Sequence, residues 1–435
     1  MPAMRSSHSR LQRSTRRLTG QASRLDLVLV LVVLALACIS ITAVYATTYH
    51  QFDGATILPT MMHTIWYVVG IMLALVVVQL DRQTLYQVTP ALYWFGILLL
   101  ILVLLFYDRD LALSTGARSW FKVGPVTFQP SEFMKLAYIL QMGRLVDQYS
   151  RRYSADIVVN MNRRQRIRVD SRFLMRMLTW SLLPFSLVLL QNDFGTMLVF
   201  LVIFVGTVFV SGITWAIILP AFIGLVAVFA FLLFMVIYNR DLLLNLGFKN
   251  YQFARIDSWL EPFGSTANES YQLAQSIKAI GSGGFFGKGF GEFEVYVPVR
   301  ESDMIFATIG ENFGFLGSVV TILLLFLLIY QMVSIAFKTH DAFYIGSVSG
   351  IVSMLTFHVI ENIGMSIGLL PLTGIPLPFI SMGGSALVMN LLCVGFVLSI
   401  KYQAKTPETE LLQNPIVRLG RKIGGAFENV KFLRS

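Results

Sequence analysis

VPVRESDMIFATIGENFGFLGSVVTILLLFLLIYQMVSIAF, residues 297–337, decides the fold. It opens on Arg300, Glu301 and Asp303 and turns apolar at Met304. From there the apolar character outlasts the roughly twenty helical residues that a hydrocarbon core of about 30 Å requires. Similar runs occur at 26–46, 62–80, 90–107, 130–147, 173–190, 195–211, 215–238, 342–370 and 382–401. Barrel strands would be shorter and would alternate. The composition agrees: the 435 residues are 55% hydrophobic and 13% charged, with mean hydropathy +0.68, whereas a soluble domain carries about a quarter charged residues. The expectation is an all-α, polytopic integral membrane protein of about ten transmembrane helices with one large extracytoplasmic loop, 239–303.

The net charge of +10 lies in three clusters beside the spans. Arg5, Arg10, Arg13, Arg16, Arg17 and Arg24 precede the first span, Arg151 to Arg172 follow the fourth, and Lys401 to Arg434 follow the last. Basic residues next to spans set orientation, so this placement needs no nucleic acid. It does suit contact with anionic membrane lipids. The run 130–147 is interrupted by Glu132, Lys135 and Arg144. Keeping it as a span puts all three clusters, and both termini, on the cytoplasmic side. The division is then a basic tail (1–25), a membrane domain (26–401) and a second tail (402–435). The first run is long and has no evident cleavage site, and reads as an uncleaved span. Cys38 and Cys393 fall inside spans and read as small hydrophobes.

Ionisable groups at membrane depth cost several kcal/mol, roughly 2.5–3.5 on insertion scales, and each needs a reason. Glu132 and Lys135, in QPSEFMK, stand three apart on one helical face and can pair there, with Pro130 in the first turn and Ser131 as a local cap. The pair is a structural bridge or one wall of an outward-facing cavity. Asp193, in QNDFGT, suits an N-cap. Arg118, Trp120 and Lys122 set cations beside an interfacial aromatic, as a membrane anchor or a lipid-phosphate contact. Glu361 and Asn362 read as buried polar contacts within the ninth span. PLTGIPLPFISMGGSA (371–386), with three prolines and three glycines, cannot be a regular span; it reads as a broken segment buried in protein and lining a cavity.

GSGGFFGKGFG (281–291) invites a nucleotide reading and fails it. Ser282 stands five before Gly287, and Gly289 follows Lys288 where a P-loop needs Ser or Thr. Backbone N–H groups beside Lys288 could still take an anion such as pyrophosphate; a plain surface loop is the alternative. Within the same interruption, 251–260 and 271–280 read as amphipathic surface helices. Asp303, at the membrane edge, is a helix cap or a carboxylate whose partial desolvation raises its basicity.

Taken in order, GARSWFKVGPVTFQPSEFMKLA, QNDFGT, GSGGFFGKGF, VPVRESDMIFATIGENFGF and GIPLPFISMGGSA resemble the motifs of the SEDS proteins (shape, elongation, division and sporulation) across residues 116–386. ENIGMSIGLLPLTGIPLPFIS is more similar to the elongation (RodA) than to the division (FtsW) members. The resemblance implies a peptidoglycan glycosyltransferase that polymerises lipid II on the outer face of the bacterial cytoplasmic membrane, with a class B penicillin-binding protein as cross-linking partner. It implies Asp303 as the base for the acceptor hydroxyl. It makes Glu132, Lys135, Trp120, Arg118, Asp193 and Arg255 substrate-binding candidates, to which Lys288 and Ser385 are added as polar groups of the glycine loop and the GGSA turn. A divalent cation, Mg or Mn, could share the phosphate load with Asp303 as a possible ligand, though no dedicated cage stands out. Three departures from the family pattern are visible: Glu301-Ser302-Asp303 for HTD, Phe194 for the leucine of DLGT, and FISMGGSA for FISYGGSS. A lipid II flippase, a division or sporulation polymerase, and a scaffold that recruits a transpeptidase are the competing readings.

Overall fold

The computed structural model describes residues 25–51, 57–124, 126–153, 157, 160–245, 250–264 and 268–403. The N-terminal arginines and the distal basic tail lie outside them. Helices stand at every position where the sequence places a span: α1 (Leu27–Gln51), α2 (Leu58–Gln79), α3 (Arg82–Phe106), then, after a short α4 (Arg109–Thr115), α5 (Pro130–Arg152), α6 (Arg163–Leu190), α7 (Phe194–Val210) and α8 (Trp215–Tyr238). The 239–303 segment contributes α9 (Arg240–Asn245), α10 (Asn250–Leu260) and α11 (Asn268–Ser282); α12 (Ile305–Phe337), α13 (Ala342–Ser366) and α14 (Gly384–Gln403) complete the bundle. Among the described residues, eight helices are long and apolar enough to cross a membrane. The two other expected spans fall outside that test, α5 through its charges and α7 through its 17 residues.

The fold is helical as expected, with one short addition that the sequence reading did not include. Residues 121–128 form a two-stranded antiparallel hairpin, β1 (Phe121–Val123) with β2 (Val126–Phe128), Phe121 facing Phe128 and Val123 facing Val126. β-branched and aromatic residues supply five of the six strand positions, the usual composition of a short hairpin.

The least hydrophobic of the expected spans is the most enclosed. Sixteen of the 23 residues of α5 are buried, and it packs against α3, α6, α7, α13 and α14. Gly143 lies where a side chain would collide with the Phe343 carbonyl and Ser347, so α5 and α13 approach backbone to backbone. Gly395 does the same for α14 against the Ala74 backbone of α2, while Gly70 and Gly384 make room for the Leu391 and Trp66 side chains of the facing helix. Glu132, Lys135 and Asp147 of α5 therefore face protein rather than lipid. At the far ends of the bundle, Arg82 bonds Asp147 at 2.8 Å and also pairs with Asp341, and Lys401 bonds Asp26 at 3.0 Å, tying α3, α5 and α13, and α14 to the start of α1. Only Ile218 and Val236 of α8 are buried; the rest of that helix presents apolar side chains outward.

α10 and α11 form where the amphipathic stretches were expected. α11 buries Leu273 and Ala279 against Val297, Met304 and Ala307, seating the 239–303 segment on the ends of α12 and α13. α12 breaks at Gly314, whose φ of +63° is not helical. The glycine-rich stretch fills the break: Lys288 N–H donates to the Glu311 carbonyl (3.0 Å), Gly289 N–H to the Asn312 carbonyl (3.2 Å), and Phe315 N–H donates back to the Gly284 carbonyl (2.9 Å). Gly283 and Gly287 are needed there because the Gly310 and Asn312 backbones approach them closely.

Candidate active site

A cavity of about 810 Å³ opens between α5, α7, α11, α13 and the two irregular segments 298–304 and 372–386. Asp303, Glu132, Lys135, Trp120, Asp193, Arg255 and Ser385 all line it. Residues far apart in the chain thus share one wall because α5 and α13 run through the centre of the bundle.

Glu132 and Lys135 are 4% and 3% exposed and pair at 2.8 Å. Burial makes this pair expensive to break, by about 3–5 kcal/mol when one partner is removed. Pro130 occupies the first turn as expected, but Gln129, not Ser131, is the N-cap residue, and it makes no side-chain cap bond. Ser131 is buried with its hydroxyl unpartnered, because the chain enters α5 two residues earlier than a cap at Ser131 requires. The Gln129 side chain instead donates to Asp193 at 3.0 Å. Asp193 also caps α7, accepting from Thr196 N–H at 3.0 Å. Arg255 lies 3.5 Å from the Thr373 carbonyl on the opposite irregular segment.

Two candidates are not brought to the cavity. The Arg118 side chain is exposed and stands 5.3 Å over the Tyr107 ring, while its N–H donates to the Gln191 carbonyl at 2.8 Å. Its neighbours Ser119 and Trp120 reach the cavity in its place. Lys288 corrects the anion reading of the glycine loop. It bonds Glu294 at 2.7 Å and the fully buried Glu311 at 3.1 Å. Glu311 also accepts from Arg300 at 2.7 Å and from the N–H groups of Glu294 and Val295. The loop is a structural hub: the Lys288 ammonium and the N–H groups of Gly287, Lys288, Gly289 and Gly291 are already paired within the protein.

Asp303 sits at the end of the segment that this hub anchors. Burial pushes its carboxyl up to about 7; the Ser302 hydroxyl works against the rise, the Glu301 carboxylate adds to it, and Arg255 opposes it. A carboxylate tuned there is half-ionised near neutrality and suited to take a proton. Asn192 (φ 59°), Val299 (φ 52°) and Phe379 (φ 64°) are the positive-φ non-glycine residues among the described ones. All three belong to segments that wall the cavity. Such conformations cost about 1–3 kcal/mol each and persist where the surroundings over-determine them.

His358 escaped the sequence reading. It lines the cavity from α13, is 2% exposed, and has neither ring nitrogen partnered. A single histidine in an apolar run has no spacing to mark it. The signal, in retrospect, is that it stands four residues before Asn362 on one helical face. Asn362 makes its expected buried contacts, whereas Glu361 is buried with one carboxyl oxygen unpartnered.

The family model for the cell cycle proteins FtsW, RodA and SpoVE matches residues 23–406. The chain belongs to this family. It is 31% identical over 385 residues to a probable peptidoglycan glycosyltransferase FtsW of Trichlorobacter lovleyi, covering 86% of this chain and 92% of that protein. It is also 31% identical over 341 residues to the peptidoglycan glycosyltransferase MrdB of Escherichia coli K12, covering 77% and 84%. Its fold matches a chain from a solved peptidoglycan synthase complex, described as coordinating polymerization and crosslinking, with TM-score 0.68, 26% identity, and coverage of 87% and 98%.

Within this FtsW/RodA/SpoVE-type bundle the sequence departures acquire locations. Glu301 adds its charge to the field at Asp303. Met382, which replaces a tyrosine, reaches the Asp303 segment through its backbone N–H, 2.9 Å from the Glu301 carbonyl, a contact indifferent to side chain. Among the described residues no group of three or more His, Cys, Asp or Glu side chains could hold a metal ion. On the cavity wall Glu132 is committed to Lys135, and Asp193 to the Gln129 amide and the Thr196 N–H at the start of α7. These residues do not form a metal cage.

Proposed function

We propose that this protein polymerises lipid II into glycan strands, with Asp303 as the base. The observation that carries the reading is a carboxyl raised to about 7 in the same cavity as a buried Glu132–Lys135 pair. In the reaction the acceptor sugar hydroxyl gives its proton to an Asp303 oxygen while its own oxygen bonds the donor's anomeric carbon. The bond from that carbon to undecaprenyl pyrophosphate breaks, and the pyrophosphate departs with the electron pair. Lys135 and Arg255 are the cations on the cavity wall that can meet its charge. Glu132 holds the ammonium of Lys135 in place, and Trp120 offers a flat apolar face to a sugar or to the lipid interface. Inversion at the anomeric carbon follows from a single displacement.

The same reading places ten spans in the bacterial cytoplasmic membrane, both termini and the basic segments on the cytoplasmic side, and the cavity on the outer side. It assigns the chain to elongation and cell shape on its ENIGMSIGLLPLTGIPLPFIS segment, and gives it a class B penicillin-binding protein as cross-linking partner. The family's presence in a complex that joins polymerization to crosslinking supports the last point.

The test is a lipid II polymerisation assay on purified protein with its partner. Wild type is expected to make glycan strands, and Asp303→Asn to lose at least about a hundredfold, the scale of a general-base contribution, at unchanged expression. Strand synthesis by the variant at the wild-type rate would remove Asp303 as the base. Lipid translocation without polymer would replace the enzyme by a flippase, and neither activity would leave a scaffold.

A further inference from the structure

Three consecutive carbonyls, those of Glu301, Ser302 and Asp303, each accept a hydrogen bond from a different donor outside their own segment. Met382 N–H reaches the first at 2.9 Å, Ser381 Oγ the second at 2.6 Å, and Asn362 Nδ2 the third at 2.7 Å. We infer that Asn362 and Ser381 are positioning residues that clamp the peptide of Asp303 and thereby aim its carboxylate into the cavity.

The donors are themselves fixed. Asn362 is fully buried in α13, and its amide nitrogen also donates to the Ile375 carbonyl at 2.8 Å. An amide NH₂ has two hydrogens, so both carbonyls are served at once. The Asn362 oxygen is buried without a partner, so the site tolerates an unpaired acceptor to obtain two donors. Ser381 accepts from Leu377 N–H at 2.8 Å while it donates to Ser302, which orients its hydroxyl. The irregular segment 371–383 is therefore stapled to α13 on one side and to the Asp303 peptide on the other.

The consequence for chemistry is geometric. A side chain leaves the same Cα as the carbonyl it precedes, so a pinned carbonyl restricts where the carboxylate can point. A misplacement of about 1 Å can cost on the order of a hundredfold in rate. Neither residue needs to touch substrate for this effect.

The inference rests on Asp303 being the base, and the experiment separates the two. Lipid II polymerisation is measured over pH 5.5–8.5, with kcat and KM resolved, for wild type, Asp303→Asn, Asn362→Leu, Ser381→Ala and Ser381→Thr, alongside thermal stability. Asn362→Leu keeps the shape and removes both donors. It is expected to lower kcat about a hundredfold, to leave KM within about threefold, and to move the pH inflection down, as a loosened carboxylate gains water. Ser381→Ala, a small change that keeps folding testable should Asn362→Leu not accumulate, is expected to act in the same direction, with Ser381→Thr restoring most of the rate. The inference fails if folded Asn362→Leu or Ser381→Ala keeps wild-type kcat, or if kcat falls with the inflection unmoved and no rescue by threonine. Activity in Asp303→Asn would overturn the underlying base assignment instead.

Discussion

The glycine-rich stretch 281–291 and the proline-rich stretch 371–383 look alike in sequence: both are breaker-rich, both adjoin a long apolar helix, and both are irregular in the structure. They do opposite work. The first presses its backbone into the break of α12 at Gly314 and hands its lysine to Glu311. The second donates hydrogen bonds outward to the carbonyls around Asp303 and lines the cavity. Glycine in a loop says that something approaches the backbone closely; it does not say whether the visitor is a ligand or another stretch of chain.

One substitution, glycine to alanine, separates the two regions, because both contain glycines at positive φ. Gly287 has φ +84°, and a Cβ there would meet the Asn312 backbone. Gly287→Ala is expected to cost about 2–5 kcal/mol, adding positive-φ strain of roughly 1–2 to overpacking of roughly 1–3. The readout is a large fall in thermal stability and in the yield of folded protein, with normal turnover per folded molecule. A folded, stable variant that has lost lipid II turnover would return the glycine loop to the active site.

Gly374 has φ +73°, and the nearest atom to an added Cβ is an Asp303 carboxylate oxygen at 3.4 Å, an ordinary contact. Gly374→Ala should cost only the strain of about 1–2 kcal/mol. Its methyl displaces water from the carboxylate, so activity at pH 7 should fall on the order of tenfold, the equivalent of ~1.4 kcal/mol. The pH inflection should rise at the same time. If this variant instead loses stability and keeps activity, the contrast between the two loops collapses.

The two loops also show what the sequence could and could not reveal. Apolar runs placed every long helix, and the three-residue spacing of Glu132 and Lys135 announced their pairing, because both signals are local. Trp120, Asp193, Arg255 and Ser385 were legible through their motifs, and they meet at one cavity. Lys288 misled because its true partner, Glu311, lies 23 positions on in the first turns of α12, a separation that no periodicity reports. Arg118 misled because a one-residue step along an irregular loop turns the next side chain the other way. The hairpin at 121–128 and the unpaired His358 were missed since each is carried by a few residues with no repeating pattern. The clamp on Asp303 was out of reach altogether, as it joins residues 59 and 79 positions apart through backbone carbonyls.

The central claim is that Asp303 acts as a base tuned to neutrality, and the pH dependence of wild-type lipid II polymerisation tests it most directly. The carboxyl's raised position, about 7, means that it is protonated and inactive below that pH and ionised above it. The rate at subsaturating lipid II should therefore climb about tenfold per pH unit below the inflection, near pH 7, and level off above it. A rate that is flat from pH 5.5 to 8.5, or that falls as pH rises through 7, would contradict the account.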